Sequence, residues 1–454
     1  MEGYFADYSG YDIRKLRIEI LQMVWPVAVE SLLQMMVGLV SMSIVGHIDA
    51  ISVGAVGLTN RITMFIWAIL NVVVTGTVIL VSQSFGSGDK EKVKDYAETG
   101  MILGLISILI ISILAFYFAR LIIHFFGAQD ELFLQSVKYL KIITFSLPFM
   151  MIIQVGSSIF RGIGNTKTPM YIALCVNLLN LIWGFVLVFG KLGFPKLGLV
   201  GAGIATVISQ VIGALIYLYL LGYKQKVLTF SLNIKYEHFS KMMRLGIPTS
   251  LESLFWQVAH VILTIIVVSF GSAAFAAHQL GMQAESISYT PAFALSIAVT
   301  TLVGQSIGAN DIKKARLYIK EVMIWVLAVT MVAVMFLLLI PARLMSLLTS
   351  DKEVIAYGAK YLILMGLAQI PQNITFVING AFRASGDTKT PMFVAGIGLW
   401  FVRIVFAVLF TKILHMGVVS VWFAMTLDLY VRFLLISLLY RKSTLFHKTD
   451  IKVV

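Results

Sequence analysis

The sequence predicts an all-α polytopic membrane protein. Twelve transmembrane helices are expected in two six-helix lobes, related by a pseudo-two-fold axis along the membrane normal. Three observations predict this. Of the 454 residues 59% are hydrophobic and only 13% charged, against about 25% charged in a soluble domain, so polar side chains are too few to cover a water-soluble particle of this size. Apolar stretches long enough to cross a bilayer, about 20 residues, occur twelve times. Finally, one polar segment recurs. Phe160 to Met170 reads Phe-Arg-Gly-Ile-Gly-Asn-Thr-Lys-Thr-Pro-Met, and Phe382 to Met392 reads Phe-Arg-Ala-Ser-Gly-Asp-Thr-Lys-Thr-Pro-Met, with eight of eleven positions identical at an offset of 222 residues. Such a recurrence marks a duplication.

In chain order the expected spans are 17–45, 53–83, 95–123, 137–161, 169–190, 199–222, 243–270, 275–305, 317–342, 356–381, 392–411 and 417–440. They are apolar all round and lack period-2 alternation, which favours helices over a barrel. Several exceed what a bilayer needs, so tilt or extension into water is expected. The basic residues sit in short loops. The net charge of +13 is therefore read as membrane topology, and no nucleic-acid partner is expected. Twelve spans place both termini on one side. The termini and the loops on their side hold 23 of the 35 Lys and Arg residues, including Lys90, Lys92, Lys94, Lys224, Lys226, Lys313 and Lys314. The opposite loops hold nine. By the positive-inside rule both termini are expected in the cytoplasm, with the protein multi-pass in the plasma membrane (the inner membrane of a Gram-negative cell). The chain opens without the short apolar core of a cleaved signal peptide, and its one cysteine, Cys175, allows no internal disulfide.

The 222-residue offset also relates Pro26 to Pro248, Glu30 to Glu252, Asp89 to Asp311 and Tyr96 to Tyr318. It further relates Leu80-Val81-Ser82-Gln83-Ser84-Phe85-Gly86 to Leu302-Val303-Gly304-Gln305-Ser306-Ile307-Gly308. Six spans per copy, an even number, mean that both copies enter the membrane in the same orientation. The expected lobes are 1–223 and 242–454, joined by a basic cytoplasmic linker at 224–241. The Thr-Lys-Thr-Pro segments lack the spacing of a phosphate-binding loop. They are expected to be helix stops with no chemistry of their own, and nothing in the sequence suggests nucleotide hydrolysis.

On the paired Gly-Asn/Asp-Thr-Lys-Thr-Pro-Met segments, on Gly193 to Gly198 with Gly201 to Thr206, and on Leu302 to Ala309, the chain resembles the multidrug and toxic compound extrusion (MATE) family of secondary transporters. The resemblance covers nearly the whole length. It implies a monomeric antiporter exporting amphipathic, mostly cationic organic compounds from the cell in exchange for H+ or Na+, without a cofactor. The chain also departs from the family pattern. Relatives often carry Asp five residues before the Val-Gly that ends the first span, where Ser41 stands. They often carry Asp four residues after the second Asn of span five, where Gly184 stands. Many carry Glu eight residues after the proline of span seven, where Trp256 stands, with Glu252 four residues earlier.

An ionisable side chain inside a span costs about 2.5–3.5 kcal/mol on insertion scales and so points to a role. Glu30, four residues after Pro26, continues on one helical face through Gln34, Gly38 and Ser41. A carboxylate in a wet intramembrane cavity can exchange a proton or neutralise a cationic substrate. Competition between the two is a physical basis for antiport. Glu252 repeats this geometry, with Trp256 and His260 one and two turns on. Asn177 and Asn180 can supply oxygens for Na+ or hydrogen bonds to a protonated Glu30. Gln279, Gln283 and Glu285 are further candidates in span eight, with Gln279 and Gln283 on one face. Asp428 and Arg432, at i and i+4, suggest a buried ion pair, and Arg403 a similar role. His260 and His278 show no metal-ligand spacing, so no resident metal is expected. A flippase for lipid-linked or polysaccharide precursors is the alternative function and would want a cationic cavity. A membrane enzyme would need converging nucleophile, base or metal residues, and the sequence offers none.

Overall fold

The computed structural model describes residues 10–228 and 235–443, and it is helical throughout, with no strand among the described residues. Twelve long helices follow in order: α1 Ile13–Gly46, α2 Ala50–Gly86, α3 Lys90–Tyr117, α4 Asp130–Gly162, α5 Lys167–Phe189, α6 Leu199–Lys224, α7 Tyr236–Val268, α8 Ser272–Gly308, α9 Ile312–Leu339, α10 Lys352–Ala384, α11 Lys389–Ile413 and α12 Val419–Lys442. Among the described residues eleven of them, α2 to α12, are long and apolar enough to cross a membrane, and α1 has 34 residues. The 33 residues of α4 or α10 rise about 50 Å at ~1.5 Å per residue, beyond a hydrocarbon core of ~30 Å. The helices thus carry their polar ends past the apolar zone.

The duplication is visible in the helix boundaries. Helices α2, α3 and α4 begin and end 222 residues before α8, α9 and α10. The caps repeat as well. Asp89 accepts from the Lys92 amide at 3.0 Å and Asp311 from the Lys314 amide at 2.9 Å, the side-chain acceptor that an exposed helix start requires. Spans three and nine were expected to run on to 123 and 342. Instead α3 stops at Phe118 before a short helix, Ala119–Phe125, and α9 stops at Ile340, where Pro341 opens another short helix, Pro341–Ser346.

In the repeated segment, Gly164 and Gly386 adopt φ of +87° and +84°, which side chains resist. Asn165 and Asp387 then cap the next helix by accepting from the amides of Thr168 and Thr390 at 3.1 and 3.0 Å. The fifth helices of the two copies differ. Helix α5 is regular, whereas α11 passes through a π-helical stretch, Ile397–Ile404, and a second, Leu409–Ile413.

The chain divides into two compact units. One is Trp25–Gly246; the other joins the described residues up to Val24 to Ile247 and the residues beyond it. The divisions fall beside Pro26 and Pro248. The start of α1 packs Leu16, Ile20 and Met23 among Leu295, Val299 and Tyr318, while Tyr11 donates to Asp311 at 2.6 Å and Arg17 to Glu321 at 2.8 Å. The start of α7 packs Met242 and Leu245 into the core of the first unit, and Lys235 Nζ donates to Asp95 at 2.7 Å. Of the expected linker 224–241, Lys224 ends α6, Tyr236 already belongs to α7, and residues 229–234 lie outside the described residues.

Candidate functional site

Each unit holds a buried carboxylate on its first helix, and each carboxylate meets an arginine from the repeated segment. In the first, Arg161 Nη2 donates to Glu30 Oε2 at 2.8 Å. In the second, Arg383 Nη2 donates to Glu252 Oε1 and Oε2 at 2.9 and 2.8 Å. Both acids are nearly buried, and Arg161 and Arg383 lie in the last turns of α4 and α10. The segment expected to be a bare helix stop therefore supplies the counter-charge of both glutamates. Within a membrane an unpaired carboxylate is expensive, and a guanidinium can cancel that charge with directed hydrogen bonds.

Two cavities of the first unit divide the residues expected there. Glu30 borders one of about 260 Å³ with Gln154, Ser157, Asn177, Gln210 and Tyr217. Ser41 and Asn180 border another of about 220 Å³ with Asn60, Thr63, Tyr139, Gly184 and Thr206, and none of its lining residues is charged. There Ser41 Oγ donates to Asn180 Oδ1 at 3.3 Å, and Asn180 Nδ2 donates to Thr206 Oγ1 at 3.2 Å. Asn177 thus accompanies Glu30, and Asn180 accompanies Ser41. The Gln34 side chain lies outside the described residues.

The second unit encloses the largest of these spaces, about 400 Å³, lined by Trp256, His260, His278, Glu285, Tyr361 and Arg403 among mostly apolar side chains. Glu285 accepts from Tyr361 Oη at 2.7 Å and from Gln369 Nε2 at 2.9 Å. Behind Arg403, three charges share one oxygen. Arg403 Nε and Arg432 Nη2 both donate to Asp428 Oδ2 at 2.8 Å. The pair expected between Asp428 and Arg432 is present, and Arg403 makes it a triad. Both guanidinium groups also lie over the Trp256 ring, at 5.0 and 4.7 Å from its centroid, within cation–π range. Arg403 comes from the first π-helical stretch of α11, and such stretches frequently sit at functional sites. Gln279 and Gln283 are half-buried on α8 and are not among the lining residues.

A model of the MatE family matches residues 26–186 and again residues 248–409. The chain belongs to the MATE family of transporters. The two matches begin at Pro26 and Pro248, so the family's repeat and the 222-residue offset coincide. This MATE transporter is 28% identical over 424 residues to the probable multidrug resistance protein NorM of Thermotoga maritima, covering 93% of this chain and 91% of that protein. It is 26% identical over 427 residues to the uncharacterized transporter YisQ of Bacillus subtilis, covering 93% of each. Among solved structures it aligns with a MOP superfamily transporter of Pyrococcus furiosus, described as having a binding pocket of reverse polarity. The TM-score is 0.87 at 21% identity, with 95% of this chain and 98% of that one covered. At that identity the likeness carries the fold.

The sequence singled out Glu30, Glu252, Trp256, Asn177, Asn180 and Glu285 as candidates in this MATE chain but not their neighbours Arg161, Arg383, Tyr361 and Gln369. A signal for the arginines was available. Acid and base recur at the same 222-residue offset, and both pairs are separated by 131 residues. No comparable signal marks Tyr361 and Gln369, which reach Glu285 across 76 and 84 residues of chain.

Proposed function

We propose that this MATE transporter is an ion-coupled antiporter that exports amphipathic, mostly cationic organic compounds by alternating access, driven by H+ or Na+. The observation that carries the reading is Glu30. It is a buried carboxylate at the wall of a polar cavity that Asn177 also lines, with Arg161 as its counter-charge. A cation entering that cavity competes with Arg161 and with the coupling ion for one carboxylate, and such competition makes two bindings mutually exclusive. The multidrug-resistance name of the Thermotoga maritima relative supports export of drug-like compounds. We place both termini in the cytoplasm on the distribution of Lys and Arg along the chain, and a monomer in the plasma membrane on the family resemblance.

The test is ethidium efflux from vesicles reconstituted with the full chain, under an imposed pH gradient and, separately, an imposed Na+ gradient. One gradient is expected to drive efflux, and Glu30→Gln is expected to abolish it with insertion intact. Full efflux in Glu30→Gln, or efflux indifferent to both gradients, overturns the reading. The excess arginine charge near Trp256 favours a second reading, a flippase for lipid-linked or polysaccharide precursors. Accumulation of lipid-linked intermediates in a deletion strain, with efflux intact, selects that reading.

A further inference from the structure

We propose that the cavity of about 400 Å³ in the second unit is a binding site for amphipathic zwitterions, with an anion subsite at Arg403 and a cation subsite at Glu285. The proposal deepens the export reading above and rests on it for the direction of transport. The argument starts from a charge count. Arg403 and Arg432 share the single carboxylate of Asp428, all three nearly or fully buried. The triad therefore carries one excess positive charge. Its face toward the cavity is Arg403, lying over Trp256, which also lines the space.

The balancing charge lies in the same cavity. Each oxygen of Glu285 accepts one hydrogen bond, Oε2 from Tyr361 and Oε1 from Gln369, the pattern that suits a carboxylate. No cation is paired with Glu285 among the described residues: its two partners are the neutral Tyr361 and Gln369. By formal charge Glu285 balances the excess of the triad, and the two stand in one lining, Arg403 on α11 and Glu285 on α8. A simple cation is attracted by Glu285 and repelled by Arg403, and a simple anion meets the reverse. An occupant carrying both charges complements both walls. Between them Met282, Phe293, Met365, Phe376 and Met425 supply an apolar, deformable lining. His278 marks the space as one for a polar occupant, because both ring nitrogens lack a hydrogen-bond partner at 1% exposure.

The test uses three fluorescent probes that differ only in charge. Nε-dansyl-lysine has an ammonium and a carboxylate, dansylcadaverine lacks the carboxylate, and N-dansyl-6-aminohexanoate lacks the ammonium. Binding to the purified full chain in nanodiscs is read from dansyl emission without any gradient, so the result is independent of coupling. The zwitterion is expected to bind tightest, by about tenfold over either partner, the size of one charge-assisted hydrogen bond. Arg403→Gln leaves Asp428 paired with Arg432 and removes only the excess charge. It is expected to erase the advantage of dansyl-lysine over dansylcadaverine. Glu285→Gln is expected to erase its advantage over the aminohexanoate, and this second variant decides the matter if the first does not fold. Equal binding of all three probes, or tightest binding of dansylcadaverine unchanged by either variant, overturns the proposal while leaving export of cations standing. Loss of gradient-driven efflux with the three-probe order intact overturns the export reading alone.

Discussion

Arg383→Gln isolates the Glu252 pair. Glu252 is left without the guanidinium that donates to both of its oxygens at 2.9 and 2.8 Å. Removing one partner of a buried pair costs about 3–5 kcal/mol, because a charge stays behind without compensation. The side chains of Arg383 and Glu252 are 23% and 9% exposed, which puts the effect at the low end, about 3 kcal/mol. For a folding unit of some two hundred residues, 1 kcal/mol shifts Tm by about 2–4 °C, so Arg383→Gln is expected to lower Tm by about 6–12 °C. Replacing both residues, as in Glu252→Gln with Arg383→Gln, removes the stranded charge. That double variant is expected to recover most of the loss, since exchanging a whole buried pair is often close to neutral. Thermal unfolding of the purified full chain in detergent, followed by tryptophan fluorescence, measures all three proteins. A double variant no more stable than Arg383→Gln refutes the reasoning, because it means that Arg383 acts by packing and not as the counter-charge.

Three further outcomes are expected. Arg161→Gln is expected to destabilise the first unit similarly and to be rescued by Glu30→Gln, with an interaction energy of about 0.5–3 kcal/mol in a double-mutant cycle; strict additivity refutes it. Gly398 lies in the π-helical stretch, where an added Cβ would collide with Asp428 Oδ1 and the Arg432 side chain. Gly398→Ala is therefore expected to lose about 1–3 kcal/mol, as overpacked sites do, and an unchanged Tm would show that α11 does not approach the triad so closely. Tyr11 donates to Asp311, and this bond, with a smaller effect of burial, raises its hydroxyl pKa from 10.0 to about 12. The contact therefore contributes fully below pH 10 and is lost as pH rises through about 12. NMR of labelled tyrosine is expected to show one resonance titrating that late in the parent chain, moving toward 10 in Asp311→Asn.

Much of the architecture was legible because hydropathy and repetition are local signals. Twelve apolar runs became twelve helices, and the 222-residue offset seen in short motifs reappears in the boundaries of α2, α3, α4, α8, α9 and α10. The site was less legible, for two physical reasons. Charge in a loop reads as topology, and Arg161 and Arg383 sit where the apolar runs end. Helices α4 and α10 continue through them, so their side chains are held by the helices and reach Glu30 and Glu252. The network around Glu285 has a different obstacle. Its partners come from α10 while it stands on α8, and no periodicity within one helix encodes which residues meet across two. The π-helical turns of α11 have no signature either, since α5 and α11 have similar apolar composition and only one departs from the regular helix.

What repeats and what does not have different meanings in a duplicated chain. A Glu–Arg pair stands in both copies at equivalent positions, and what the two share is charge cancellation near a helix end. The cavities are where the copies part. Glu30 borders a space with Asn177, whereas Glu252 is absent from the lining of the large cavity that Trp256, one turn further on, helps to form. In the first unit the space around Ser41 and Gly184 has no charged lining residue. In the second, Arg403 and Glu285 place opposite charges in one cavity, and α11 leaves the regular helix where Arg403 projects. Symmetry therefore accounts for the frame, and selectivity has to reside in the departures from it. Substitutions at Arg383 should change stability and leave the order of substrate preference intact, while substitutions at Arg403 or Glu285 should change that order.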